Sequence, residues 1–369
     1  MRVLHIGTEK AWRGGENQIR LLVEGLKSVA SDVENFLAYP KNSAAYERFK
    51  SILGPDRVVG LASSSGYDFR SVWTLRQFCR EKNIELINSH SSAAMSLALA
   101  TKKKYPQIKL VAHRRVDIEI KKNIFSKRKY NSALVDRFVC ISRSISEVLT
   151  RAGVDKSKIS IVLSAVDETY YSNKNKREAK HHWARQLGLN ENLIWFGHAA
   201  ALTWQKGFRE LIEACGLLSD QGREFHCLIA GDGPFAEEIQ KLIRANKLEG
   251  RVHLLGHIKN VPEFLLALDV LTVPSHFEGL GTILLEGAFA GAALIGTNVG
   301  GIPEIIRDNE TGLLVQKANA HDLAEKMQRL LTDEVLREKL AALAKTHVRS
   351  SFSVQKMVAG NLQVYRELL

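Results

Sequence analysis

Short apolar runs alternate with segments whose apolar residues recur three and four apart, and this alternation runs through the chain twice. In the first half, residues 3–6 read as a strand, and Ile19, Leu22, Val23 and Leu26 follow helical spacing. Further strands are predicted at 85–88, 110–112, 137–141 and 159–163, with helices over 93–100 and from Ser142 onward. A polar stretch, 173–180, interrupts the pattern and places a domain joint between 166 and 192. The pattern then restarts, with strands at 193–197, 226–230, 252–255, 270–273 and 293–296 and a helix over 208–218. The last segment, 352–369, is one amphipathic helix with Met357, Leu362, Tyr365 and Leu368 on its apolar stripe. Strands this apolar, alternating with helices, imply parallel sheets covered on both faces. The expected fold class is α/β, two doubly wound Rossmann-like domains facing each other across a cleft, with ligands at the carboxyl ends of the strands.

Bulk properties narrow the functional classes. The 369 residues are too many for one ordinary core and suit two domains. Cys79, Cys140, Cys215 and Cys227 have no C-x-x-C spacing and read as buried free thiols of a reducing compartment. The start of the chain reads as a strand and not a signal peptide, and no uncharged run reaches the roughly 18 residues of a spanning helix. The expected location is therefore cytoplasmic. Charge is shared unevenly: residues 1–165 hold 29 Lys and Arg against 15 Asp and Glu, a net of +14, whereas residues 166–369 hold 23 against 25, a net of −2. The basic half points to an anionic partner: a phosphorylated acceptor, the inner face of an anionic membrane, or nucleic acid.

The densest chemistry lies in Ser275-His-Phe-Glu278-Gly-Leu-Gly-Thr282-Ile-Leu-Leu-Glu286. Two carboxylates stand eight residues apart around a Gly279-Leu280-Gly281 turn that opens an apolar run. Thr282 is predicted as the N-cap of a helix, Glu286 about one turn inside it, and Glu278 in the loop before it. Glycines let backbone approach a ligand, and free first-turn amides form an anion site. One small volume thus offers amides for a diphosphate and acids for sugar and ribose hydroxyls.

Other motifs carry two readings each. Gly14-Gly15, between the first strand and helix, is either a phosphate-approach turn or a tight βα turn. His90 and His113 both end predicted strands, and Arg114 and Arg115 follow the second; they are a ligand-facing set or core-edge residues. The run 118–129, including Lys121 and Lys122, either grips anionic headgroups or a phosphorylated acceptor or is a solvated basic face. Its sparse aromatics argue against single-stranded nucleic acid. Lys206-Gly207, at a helix start, suits neutralisation of phosphate by a point charge. No Cys/His cluster has zinc spacing, no Asp-x-Asp clamp occurs, and no G-x-S-x-G elbow is present.

Together these motifs resemble family 4 of the retaining glycosyltransferases, which have the GT-B fold. The resemblance spans the chain and rests on Gly14-Gly15, His90, His113, Cys140-Ile-Ser142-Arg-Ser, Val166-Asp167, Lys206-Gly207, Gly231-Asp-Gly-Pro, Gly256, Glu278-x7-Glu286, Gly301-Ile-Pro-Glu304 and Thr311-Gly-Leu-Leu. It implies an acceptor-binding domain over 1–170, a nucleotide-sugar-binding domain over 171–350, and a final helix, 351–369, that crosses back to the first. It implies donor contacts from Gly14, Gly15, Lys206, Ile258, Glu278, Gly279, Leu280, Gly281, Thr282 and Glu286. Catalytic roles fall on His113, Lys206 and Glu278, and acceptor contacts are expected from His90, Arg114, Arg115, Lys121 and Lys122. No metal or other cofactor is expected. The implied reaction moves a hexose from a nucleoside diphosphate sugar, UDP favoured, to a glycan or lipid-linked acceptor of a cell-surface polysaccharide such as lipopolysaccharide.

Two departures stand out. The family's Gly-Arg-Leu is Ala200-Ala-Leu202 here, which removes a cation and leaves the diphosphate to Lys206, amides, the helix dipole or Arg13. The usual Asn-Gly-Val-Asp is Ser164-Ala-Val-Asp167. The competing readings are a nucleotide-sugar epimerase or hydrolase of the same fold, which needs no acceptor, and a non-catalytic polyanion binder, which ignores nucleotide sugars. A dinucleotide oxidoreductase lacks its full glycine fingerprint.

Overall fold

A computed structural model describes residues 1–121, 123–172 and 174–369. Lys122 and Asn173, both within sequence predictions, lie outside these. The chain divides into two compact units, Met1–Ala165 with Ser353–Leu369, and Val166–Phe352.

The first unit is built on seven strands: β1 (Arg2–Ile6), β2 (Glu34–Pro40), β3 (Val58–Leu61), β4 (Leu86–Ser89), β5 (Lys109–Arg114), β6 (Arg137–Cys140) and β7 (Ile159–Ile161). They are ordered β3-β2-β1-β4-β5-β6-β7, with every neighbouring pair parallel. The second unit has six: β8 (Trp195–Ala199), β9 (His226–Ala230), β10 (Val252–Gly256), β11 (Val270–Val273), β12 (Ala293–Thr297) and β13 (Leu313–Val315). Their order is β10-β9-β8-β11-β12-β13, again all parallel. Both units are thus Rossmann-like. In such sheets the chain reverses its direction of growth once, and ligands bind beyond the carboxyl ends of the two strands that flank this point. The flanking pair is β1 and β4 in the first unit, and β8 and β11 in the second.

Burial explains why these segments are strands. Central strands such as β9 and β12 are buried along their whole length, so helices must cover both faces. β2, β3 and β13 were not anticipated from the pattern. β3 is a four-residue edge strand, and β13 is three residues long, too short for periodicity to register. The final helix, Val354–Leu368, packs within the first unit, where Val358 fills the space that a side chain at Gly25 would need. Tyr365 on this helix is fully buried and hydrogen bonds Asn88 of β4. Among the described residues no helix is long and apolar enough to cross a membrane, and the four cysteines are buried and free.

Candidate functional site

In the second unit, chemistry gathers where the loops leave β8 and β11. After β8 the chain makes a short 3-10 turn, Trp204–Lys206, and enters helix Phe208–Asp220 through Gly207. Gly207 has φ +68°, and a Cβ there would lie 1.9 Å from the carbonyl oxygen of Pro274 in the loop after β11. Only glycine permits this approach, and the approach brings the two loops' side chains together. Lys206 Nζ lies 2.6 Å from Glu278 Oε2, and Ser275 Oγ donates to the same oxygen at 3.2 Å. Each partner of the ion pair keeps part of its surface in solvent.

Beyond Glu278 the loop turns into helix Thr282–Phe289. The structure corrects the predicted cap. Gly281, in the left-handed region at φ +86°, is the N-cap, and Thr282 is the first helical residue. No side chain caps this end, so the Thr282 and Ile283 amides have no acceptor within the helix, while the Leu284 amide donates to the Gly281 carbonyl at 2.8 Å. A would-be Cβ at Gly281 lies 3.3 Å from Glu278 Cγ, so the carboxylate stands beside this helix start. Leu280 is buried, and only its backbone is on offer. The Glu278 carbonyl accepts from Gly301 N at 3.2 Å, which ties the loop to the Gly301-Ile-Pro-Glu304 segment.

Glu286 sits one turn into the helix, as predicted. Burial raises its carboxyl from the usual 4.5 to about 7, while a hydrogen bond from Tyr171 Oη, 3.4 Å from Oε2, works against the rise. Tyr171 comes from the short helix Thr169–Ser172 and stacks on Phe289. Neither Tyr171 nor Ser275 was picked out from sequence, because no spacing marks a partner 115 positions from Glu286 or a serine as a second ligand of Glu278. His198 on β8 was also missed; its one signal is a polar residue in an apolar strand. It is fully buried, neither ring nitrogen has a partner, and burial with the nearby Lys206 charge lowers its pKa to about 3. Ile258 lies half-buried in the loop after β10.

In the first unit, a pocket of about 370 Å³ opens at the carboxyl ends of β1, β4 and β5. Gly15, His90, His113, Arg114 and Arg115 all line it, together with Arg13 and Glu16. Gly14 begins helix Gly14–Val29, whose Glu16 carboxylate accepts from the Arg13 amide at 3.2 Å. The His90 and His113 ring centroids are 4.7 Å apart. Burial lowers the pKa of both histidines well below 6.5, so the pocket's positive charge comes from arginine. Arg114 is already engaged, donating to Tyr130 Oη at 2.9 Å and to the Ile118 carbonyl. Lys121 is an exposed side chain and does not line the pocket.

Two family descriptions match this chain: "Glycosyltransferase Family 4" over residues 12–170 and "Glycosyl transferases group 1" over residues 179–347. A glycosyltransferase of Methanocaldococcus jannaschii is 30% identical over 301 residues, covering 79% of this chain and 78% of its own. The N-acetyl-alpha-D-glucosaminyl L-malate synthase of Bacillus anthracis is 29% identical over 211 residues, and the match spans 57% of this chain and 54% of that enzyme. Among solved structures, Anabaena HepE in complex with UDP superposes with a TM-score of 0.85 at 18% identity, covering 100% of both chains. This chain belongs to the family 4 glycosyltransferases and has their GT-B class of fold.

Proposed function

We propose that the enzyme moves a hexose from a nucleoside diphosphate sugar to an acceptor hydroxyl with retention of anomeric configuration, and that the donor is a UDP-sugar. The observation that carries the reading is the Lys206–Glu278 pair beside the uncapped start of helix Thr282–Phe289. A departing diphosphate gains negative charge in the transition state. An ammonium and preorganised amides act where that charge develops, which is usually the largest catalytic term. In this reading Lys206 turns from Glu278 to the diphosphate, and Glu278, still held by Ser275, takes sugar hydroxyls. Glu286 takes the ribose. The leaving phosphate itself receives the acceptor proton, and the residues need no metal for these roles. Structures of a fold neighbour with UDP and with UDP-glucose support the choice of base.

The acceptor falls to the first unit, as a glycan or lipid-linked molecule of the cell surface. A patch of exposed Ile118, Ile124 and Phe125 among exposed Lys121, Lys127 and Arg128 supports peripheral attachment to an anionic membrane.

The test is a product assay with UDP-sugars in the presence and absence of acceptor pools. Lys206→Ala and Glu286→Ala are each expected to lower transfer by about 10²-fold or more while the fold persists. Near-normal turnover in both refutes the assignment. Sugar release from donor alone, at the same rate as with acceptor, favours the hydrolase reading.

A further inference from the structure

A chain of buried polar groups runs through the first unit and ends at its pocket. His5 Nε2 on β1 lies 3.0 Å from Asn35 Oδ1 on β2, and His5 Nδ1 lies 3.1 Å from His90 Nε2. His90 Nδ1 then faces Arg115 Nη2 at 3.5 Å. The direction of the chain follows from its Arg end. A guanidinium only donates, so His90 Nδ1 accepts and His90 Nε2 carries the hydrogen. That hydrogen goes to His5 Nδ1, so His5 Nε2 is the donor to Asn35. Both rings are neutral: burial lowers His5 to about 4 and His90 well below 6.5. The series ends on one guanidinium nitrogen of Arg115, while Arg115 Nε has no partner.

What Arg115 is held for is missing from the unit's own residues. Among the described residues no carboxylate reaches ion-pair distance of Arg115. Glu16 acts on it from further off, and burial lowers the guanidinium to about 10. Arg115 is half-buried in the pocket wall, and a charge drawn even partly out of water is favoured by an opposite charge. Arg114 beside it is spent on Tyr130 and Ile118. His113, nine-tenths buried on the same wall, has no hydrogen-bond partner at either ring nitrogen. Asn361 of the final helix faces His113: its Nδ2 donates to the Met357 carbonyl, its Oδ1 has no other partner, and it pulls the imidazole's pKa up against the larger effect of burial. The opposing acids are weakly placed: Glu9 is exposed, and Glu16 is bound to the Arg13 amide with burial favouring its protonated form.

We propose that this pocket receives the acceptor through an anionic group, carboxylate or phosphate, set against Arg115, and that Asn35, His5 and His90 are positioning residues that hold the guanidinium for it. The inference rests on the glycosyl-transfer reading only in naming the ligand as the acceptor.

Calorimetric titration of the full chain tests it, with malonate and glycerol 3-phosphate as anionic probes, malonamide and glycerol as their neutral counterparts, and UDP-glucose titrated separately. At least one anion is expected to bind at least about tenfold more tightly than its neutral counterpart, the worth of a charge-assisted hydrogen bond. Malonate against glycerol 3-phosphate tells which anion the pocket was built for. Arg115→Gln is expected to weaken that anion by about tenfold or more and to leave UDP-glucose affinity within about twofold. Asn35→Leu should weaken the anion too, and Asn35→Asp, which still accepts from His5, should restore it. A merely structural role predicts no such rescue. Unchanged UDP-glucose binding in each variant reports an intact fold.

The proposal is overturned if neither anion binds while UDP-glucose does, if Arg115→Gln leaves anion binding intact, or if it weakens UDP-glucose to the same degree. In the first two cases the sugar-transfer reading stands. Arg115-dependent anion binding without any UDP-glucose binding supports the anion site and sinks the transfer reading instead.

Discussion

Glu286 is the residue whose environment departs furthest from its ordinary chemistry among the acids of the second unit. Its folded pKa of about 7 lies above the ordinary 4.5 because burial penalises the charge. The sign of the consequence is definite. Between 4.5 and 7 the unfolded chain gives up the proton and the folded one keeps it, so folding is progressively penalised as pH rises through this window. The penalty is complete above 7, at ~3 kcal/mol for a shift of this size. Glu286→Gln is therefore expected to be more stable than the native chain at pH 8, with the advantage shrinking towards nothing near pH 4.5. Chemical unfolding at the two pH values checks this, and an equal difference at both discounts burial as the cause. In the role proposed for Glu286, ribose hydroxyls donating to the carboxylate would offset the same penalty. Glu278, Glu286 and Lys206 were legible in the sequence because each belongs to a local motif with glycine beside it. Tyr171, Ser275, Asn35 and His5 were not. Tyr171, Asn35 and His5 acquire their roles only from partners on other elements, and Ser275 only from how its own loop folds back onto Glu278.

At the scale of elements, glycine positions that look alike differ in what surrounds them. Gly188 ends helix Lys176–Leu187 at φ +66°, with nothing within 4 Å of a would-be Cβ. Gly207 has nearly the same backbone, φ +68°, with a backbone oxygen 1.9 Å from that Cβ position. Gly188→Ala should cost ~1 kcal/mol, the left-handed penalty alone. Gly207→Ala adds an overlap with backbone that no rotamer relieves, and should cost at least ~3 kcal/mol and separate Lys206 from Glu278. Urea unfolding of the two variants side by side checks the contrast; equal costs would mean the β8 and β11 loops part easily. The same logic explains the corrected helix start. Thr282 has a capping side chain, yet the chain needs a left-handed residue to turn out of the Glu278 loop, so the cap passes to Gly281. Element type was legible for most of the apolar strands, with β2 (Glu34–Pro40) an exception despite its length. The short strands β3 and β13 were not, because they owe their existence to pairing with β2 and β12 more than to their own pattern.

At the scale of the whole molecule, the basic half of the sequence and the exposed apolar side chains around Phe125 make one prediction. The full chain should bind vesicles containing anionic phosphatidylglycerol, and not neutral phosphatidylcholine vesicles, in a salt-sensitive manner. Replacing Lys121, Lys127 and Arg128 by glutamine should weaken that binding by about 100-fold, at roughly 1 kcal/mol per charge. Sedimentation with the two vesicle types reads the effect, and equal binding to both would remove the electrostatic account. The sequence by itself determined the α/β alternation, the restart after residue 192, the carboxylate pair with its glycine turn, and the uneven charge. These are local in the chain, so periodicity, spacing and composition carry them. Only the tertiary structure decided that Lys206 meets Glu278, that Tyr171 hydrogen bonds Glu286, that Val358 of the final helix fills the space beside Gly25, and that Asn35, His5 and His90 end on Arg115. Those contacts join strands, loops and helices that are remote in the chain, and parallel strand order is set by packing both faces at once, which no single segment encodes.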